Sequence, residues 1–450
     1  MLNERTANKF NKQIETNVTF FNTIKWFFIS KLFSLKKLSK LSLGIIERWF
    51  TTVADSENFL ELNFTLVAQI LNSSELLIDS ELQVFNVMNA WLNHKSVERS
   101  KHAKYLLQRV RLSLLTVPAL NNILHKNLWI VMNDECSEII NKVIKNKKHL
   151  HSSRDKSINR YCSQNNFNVL VVGGIINKNQ AVRSAYTIDI NNLSVVKNLP
   201  QTKQKLLSLN SLYVFCIKGE IYVFGGYDFD DRTMPVEKYS PATKTWNVIA
   251  QMYDWRSYYC ACSFIDSIYV LGGFLRGVIG GPSSCLVLNT INETWKEIAK
   301  LNVTRENASC VVFKGSIVVS GGSDGEELNT IEAYDHVDDS WSKMPNMIER
   351  RWLHSSVAIK NKLFLIGGST NSNIEVFDLH CNQFVLLRCP NDLRYNEISD
   401  VTSVANKIVI FSNRNGLVLY YDVENDVWSE KHCDATQNIK CFYCSKIPKL

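Results

Sequence analysis

The sequence predicts two parts of opposite class: an all-α domain over residues 25–150 and an all-β, six-bladed propeller over residues 167–450. Three observations predict it. First, a glycine pair recurs after short β-branched or aromatic runs, at Gly173-Gly174, Gly225-Gly226, Gly272-Gly273, Gly321-Gly322 and Gly367-Gly368. Successive pairs lie 52, 47, 49 and 46 residues apart, the period of repeated four-stranded blades. Second, two apolar or aromatic residues stand seven apart downstream of each pair: Ile188/Val195, Tyr239/Trp246, Leu288/Trp295, Tyr334/Trp341, Phe377/Phe384 and Tyr421/Trp428. Third, the apolar spacing ahead of this region is helical.

Residues 1–24 are a short N-terminal segment. In the helical part, Leu35, Leu38, Leu41 and Ile45 form one stripe, and Val84, Phe85, Met88 and Trp91 another. Phe64, Val67, Ile70 and Leu71 mark a third helix. Asp79 and Ser80 suit the cap of the helix that carries Trp91, and Pro118 marks a break before Leu120. Residues 151–166 are a linker.

In the propeller each glycine pair ends a buried strand, where small residues let backbones approach closely. The seven-residue step spans a strand end, a polar turn and the next strand start. Trp246, Trp295, Trp341 and Trp428 are expected to fill space between blades. The sixth copy has lost its glycines: KIVIFSN, ending at Ser412-Asn413, aligns with KLFLIGG. Near the C-terminus, Cys441 lies 13 residues after Trp428, as Tyr259 does after Trp246. That register makes IKCFYCSK the innermost strand of blade one, closing the ring, rather than half of a zinc site.

These motifs resemble the kelch repeat family from Asn168 to the C-terminus. A further family feature is a basic residue four positions after an apolar one at blade junctions, as in Met252/Arg256, Leu301/Arg305 and Met347/Arg351; blades two and six carry Leu209 and Asn396 instead. The run LNFTLVAQILNSSELLIDSELQVFNVMNAWL with ERSKHAKYLLQRVRLSLL resembles the BACK domain of kelch-like proteins. In that family BACK joins an N-terminal BTB domain to the propeller, and BTB carries dimerisation and docking to a cullin ubiquitin-ligase scaffold. Only some twenty to thirty residues precede the BACK-like start here, so a chain without BTB is expected.

The resemblance implies a cytoplasmic adaptor that binds a protein substrate and catalyses nothing. Expected partners are a target protein, with a cullin or a BTB-containing paralogue behind it; an actin-binding or cytoskeletal scaffold is the rival, and a kelch-propeller enzyme a remote third. Residues 1–160 hold 23 Lys/Arg against 14 Asp/Glu, yet no recognition motif for nucleic acid accompanies them. The apolar run from Phe20 to Phe33 is too short to span a bilayer. Twelve unevenly spaced cysteines suit a reducing compartment. Cys260 and Cys262 share a strand face with no third ligand near. His336, His354, His380 and His432 fall at non-equivalent repeat positions, so no metal or other cofactor is expected. GVIGG from Gly277 lacks the following helix of a dinucleotide site.

Function should sit on the loops after the glycine pairs and at the junctions. The candidate partner-binding residues there are Tyr227, Trp255, Arg256, Tyr258, Phe274, Arg276, Arg305, Asn307, Arg350, Arg351, Trp352, His354, Arg394 and Tyr395. Arginines among aromatics suit an acidic segment of a partner. For Arg256, Arg305 and Arg351, which recur in register, bracing of adjacent blades is the competing role.

Overall fold

A computed structural model describes residues 22–149 and 167–448, apart from 55, 77, 79, 150–166, 177–179, 182, 204–211, 218, 226–233, 253–255, 276–282, 337, 369–372, 388–397, 405, 414–415 and 438–442. The chain divides into two compact units, Met1–Asn166 and Phe167–Leu450.

The first unit is all-helical. Its longer helices are Thr23–Leu32, Lys36–Arg48, Phe64–Asn72, Glu81–His94, Val117–Lys126 and Asp134–His149. Val84, Phe85, Met88 and Trp91 are buried together as their spacing requires, with Val67, Ile70 and Leu71. The Trp91 indole donates to the Leu62 carbonyl (2.9 Å), and the Arg99 guanidinium lies 4.0 Å from that ring. Three local expectations change. The buried line of Lys36–Arg48 is Leu38, Ser42 and Ile46, while Leu41 is exposed. Ser42 tolerates burial because its hydroxyl donates to the Leu38 carbonyl (2.8 Å) and its own carbonyl accepts from Thr23 Oγ1 (3.2 Å). Ser80 occupies the N-cap of its helix without a side-chain cap bond; Asp79 lies outside the described residues. Pro118 starts a helix rather than interrupting one. It stands in the first turn, where its missing N–H costs nothing, and Thr116 caps that turn through Ala119 N (3.3 Å).

The second unit is six four-stranded antiparallel sheets. Their innermost strands are Tyr443–Pro448, Leu212–Ile217, Cys260–Phe264, Ser309–Phe313, Ser355–Ile359 and Ile398–Val404, for blades one to six. These six strands neighbour one another in a closed ring. The C-terminal strand closes it by pairing with Phe167–Val172, Cys444 opposite Val171. The register is one residue later than the sequence spacing implies, with the one-turn 3₁₀ helix Asp434–Thr436 in the preceding connection. Cys444 is buried; Cys441 lies outside the described residues.

Every seven-residue pair is a cross-strand pair. Tyr239 faces Trp246, Leu288 faces Trp295, Tyr334 faces Trp341, Phe377 faces Phe384, Tyr421 faces Trp428 and Ile188 faces Val195. The four wholly aromatic pairs pack with tilted rings, centroids 4.8–5.3 Å apart. Two residues before each second member the chain turns through a left-handed residue: Leu193, Lys244, Glu293, Asp339, Asn382 and Asp426. A fixed hairpin therefore sets the spacing. The Trp246 and Trp341 indoles reach back to the Pro200 and Ala299 carbonyls (2.8 and 2.9 Å), joining neighbouring blades. Val195 departs from the expected core and is exposed on the outer strand.

Candidate partner-binding face

The junction arginines are scaffold. Arg256, Arg305 and Arg351 are 2%, 1% and 1% exposed, so their guanidiniums cannot meet a partner. Each donates to the carbonyl of the first glycine at the end of its own blade's second strand: Gly272 (3.0 Å), Gly321 (2.7 Å) and Gly367 (2.7 Å). The second glycine of a pair then donates to the next junction arginine's carbonyl, Gly273 to Arg305 and Gly322 to Arg351, both at 2.8 Å. The two sequence motifs thus form one interlocked chain from blade to blade. This corrects the partner-binding role expected of these three arginines.

Two of the arginines face carboxylates that sequence reasoning missed. Arg305 contacts Glu332 through Nε (3.1 Å) and Nη2 (2.9 Å), and Arg351 Nε donates to Glu375 (3.0 Å). Both glutamates are buried. They stand two residues before Tyr334 and Phe377, and Glu237 holds the same place before Tyr239. That repeat was present in the sequence as a third periodic signal. Blade three has Leu286 there. Buried charge of one sign is tolerated because the other sign and backbone groups meet it.

His354 is also withdrawn from the surface. It is buried, its Nε2 2.8 Å from Ser320 Oγ, and Nδ1 has no hydrogen-bond partner. Burial, with the Arg351 and Arg305 charges, pushes it down to about 3; burial pushes His336 down to about 4. The unfolded chain takes up protons at both near pH 6.5, whereas the folded propeller does not. Their contribution is therefore whole above pH 6.5 and lost as pH falls toward 4. Asp400, raised to about 6 by burial, has the opposite sign, gaining stability as pH drops below 6. Two histidines outweigh one carboxyl, so urea unfolding at pH 5.5 should show a loss on the order of 2 kcal/mol against pH 7.5. His354→Gln should flatten the profile; an unchanged slope would contradict the burial of neutral histidine.

Other candidate residues remain at the face. Tyr258 and Phe274 are exposed, beside a short ladder that pairs Ser257 with Phe274. Arg350 is exposed, its Nη1 donating to the Glu327 carbonyl (3.0 Å) with the Glu326 carboxylate 3.6 Å away. Trp352 is half-buried. Asn307 links junctions through its backbone, donating to Tyr258 O (2.7 Å) and accepting from Leu353 N (2.9 Å). Tyr258, Asn307 and Leu353, each two residues after a junction arginine, all have positive φ, so the three junctions share one strained turn. Tyr227, Trp255, Arg276, Arg394 and Tyr395 lie outside the described residues.

Beneath these junctions the innermost strands enclose a cavity of 480 Å³. Its lining comes from the first residues of all six strands, including Tyr213, Cys260, Cys310, His354, Asp400 and Tyr443. Among the described residues no group of three or more His, Cys, Asp or Glu is placed to hold a metal ion. No described helix is long and apolar enough to cross a membrane.

Comparison with known proteins agrees with this architecture. The KLHDC2/KLHL20/DRC7 kelch-repeats domain matches residues 160–368, and the BACK domain (BTB And C-terminal Kelch) matches residues 23–125. No BTB domain is matched. The chain is 23% identical to Kelch-like protein 36 of Bos taurus over 94% of its length and 72% of the relative's. It is 25% identical to human Kelch-like protein 6, over 76% of this chain and 48% of that protein. A viral relative, Kelch repeat and BTB domain-containing protein 1 of Vaccinia virus, is 24% identical over 77% and 67%. With a helical BACK unit followed by a six-bladed kelch propeller, the chain belongs to the kelch-like family.

Proposed function

We propose that this chain is a non-catalytic, cytosolic adaptor that captures a target protein on the junction-loop face and presents it to a cullin-based ubiquitin ligase. One observation carries the capture step. The recurring arginines of that face are locked inside the blades, while the non-recurring Tyr258, Phe274 and Arg350 stand at its surface. Exposed aromatics and arginine are the residue types of interface hot spots. Backbone hydrogen bonds that join the three junctions lower the ordering cost of binding. The described cysteines are all free thiols, which suits a reducing compartment. The ligase step rests on the family alone, and fold does not by itself assign function.

Alanine at Tyr258, Phe274 and Arg350 together should cut target capture at least about tenfold, on the scale of hot-spot truncations, with an unchanged melting temperature. Full capture by the triple variant would remove the face assignment. Co-purification of a cullin with the chain, alone or paired with a BTB-bearing protein, tests the ligase step. Pelleting with actin filaments, without any cullin, would replace it with a cytoskeletal role.

A further inference from the structure

We propose that the central cavity receives a cationic side chain of the bound partner, a lysine ammonium or arginine guanidinium, with Asp400 as its counter-ion. The proposal rests on the capture reading above and reverses the charge that the sequence suggested for the partner.

The cavity is placed for it. Its lining comes from the beginnings of the six innermost strands and from the junction residues Asn307 and Leu353. A side chain reaching in from the loop face would enter between those junctions. A volume of 480 Å³ lies within the range of small-ligand pockets.

The charge of the wall selects the ligand. Among the described lining residues Asp400 is the sole carboxylate, and none is lysine or arginine. His354 is held neutral by burial and by the Arg351 and Arg305 charges behind it. Those two arginines are matched by Glu332 and by Glu375 and Glu349, so their charge is met within the wall. A single negative group in a low-dielectric recess concentrates its field on whatever enters.

Asp400 is also held in position. The strand Ile398–Val404 is irregular between Ile398 and Asp400. One carboxylate oxygen accepts Val401 N (2.8 Å), and the other accepts Cys444 N (2.7 Å) from the ring-closing strand. The Cys444 thiol is a third donor, and a carboxylate has acceptor capacity for one more. These donors do not offset the burial, since the carboxyl is raised to about 6. An incoming cation would supply what is missing.

Aromatic rings complete the recess. Tyr443 precedes Cys444 in the chain and packs 6.2 Å from Tyr213, which lies 5.4 Å from Tyr259. The Tyr213 hydroxyl donates to the Tyr259 carbonyl (2.7 Å), and the residue lines the cavity. Carboxylate plus tyrosine rings is an arrangement that attracts alkyl cations.

The test uses n-butylguanidinium and its near-isosteric neutral counterpart n-butylurea, titrated calorimetrically into the purified full chain. Saturable binding of the cation, at least about tenfold tighter than the urea, is expected for a charge-assisted pair. Asp400→Asn should erase that preference, and Tyr213→Leu should weaken cation binding severalfold. Equal binding of cation and urea, no saturable binding, or an unchanged preference in a folded Asp400→Asn protein would overturn the proposal. If Asp400→Asn does not fold, the cation-to-urea ratio on the native chain still decides. No partner is needed, so this experiment can fail while loop-face capture stands, and the reverse.

Discussion

Arg351→Met should destabilise the propeller by about 3–5 kcal/mol, the cost of leaving one member of a buried ion pair unmatched. Arg351 and Glu375 side chains are both inaccessible to solvent. Glu375 also accepts the backbone N–H groups of Ile348 (2.7 Å) and Glu349 (3.0 Å), so it organises the junction ahead of blade five. Losing the guanidinium additionally strips the Gly367 and Asn373 carbonyls of their donor. A fall in melting temperature of roughly 10 °C is expected for a unit of this size. The double variant Arg351→Met/Glu375→Leu should recover more than half of the loss, because it removes the stranded charge with its partner. Additive losses in the double-mutant cycle would show that the pair does not act as a unit.

Gly321→Ala should be nearly as damaging, for a reason of space. A Cβ at Gly321 would lie 2.3 Å from the Arg351 carbonyl oxygen and 2.9 Å from His354 Cε1, and φ is +56°. The left-handed conformation alone costs a non-glycine residue about 1–2 kcal/mol. The backbone clash adds to that, since the Arg351 carbonyl is fixed by Gly322 N at 2.8 Å. Gly219→Ala separates the two terms. Its φ is +81° but nothing lies within 4 Å of the added Cβ, so it should show the conformational cost only. Chemical denaturation of both variants measures the difference, expected at about 2 kcal/mol or more on the scale of overpacked sites. Equal losses would mean that close blade approach is not what these glycines serve.

Much of the fold was legible because it repeats. The glycine period and the seven-residue pairs are local consequences of one hairpin geometry, and each pair proved to be a literal cross-strand contact. The C-terminal strand could be placed in blade one because its spacing continued that period to within one residue. The site was less legible. Recurrence of Arg256, Arg305 and Arg351 fits either a binding array or a brace, and sequence cannot rank the two without knowing what faces each guanidinium. Glu332 and Glu375 decide it from 27 and 24 residues away. Asp400, Tyr213 and Tyr443 share no motif, since they belong to three innermost strands distant in sequence.

The sequence by itself determined the two domain classes, the blade number, the glycine–aromatic repeat and the closing strand. These depend on periodicity and on contacts within one blade. Only the tertiary structure decided which charges are buried and which are offered. Burial of a charge depends on neighbours contributed by other strands and blades. Closing the ring turned three arginines inward against backbone carbonyls and left Arg350 outside. It also gathered one carboxylate and several tyrosines around a common axis.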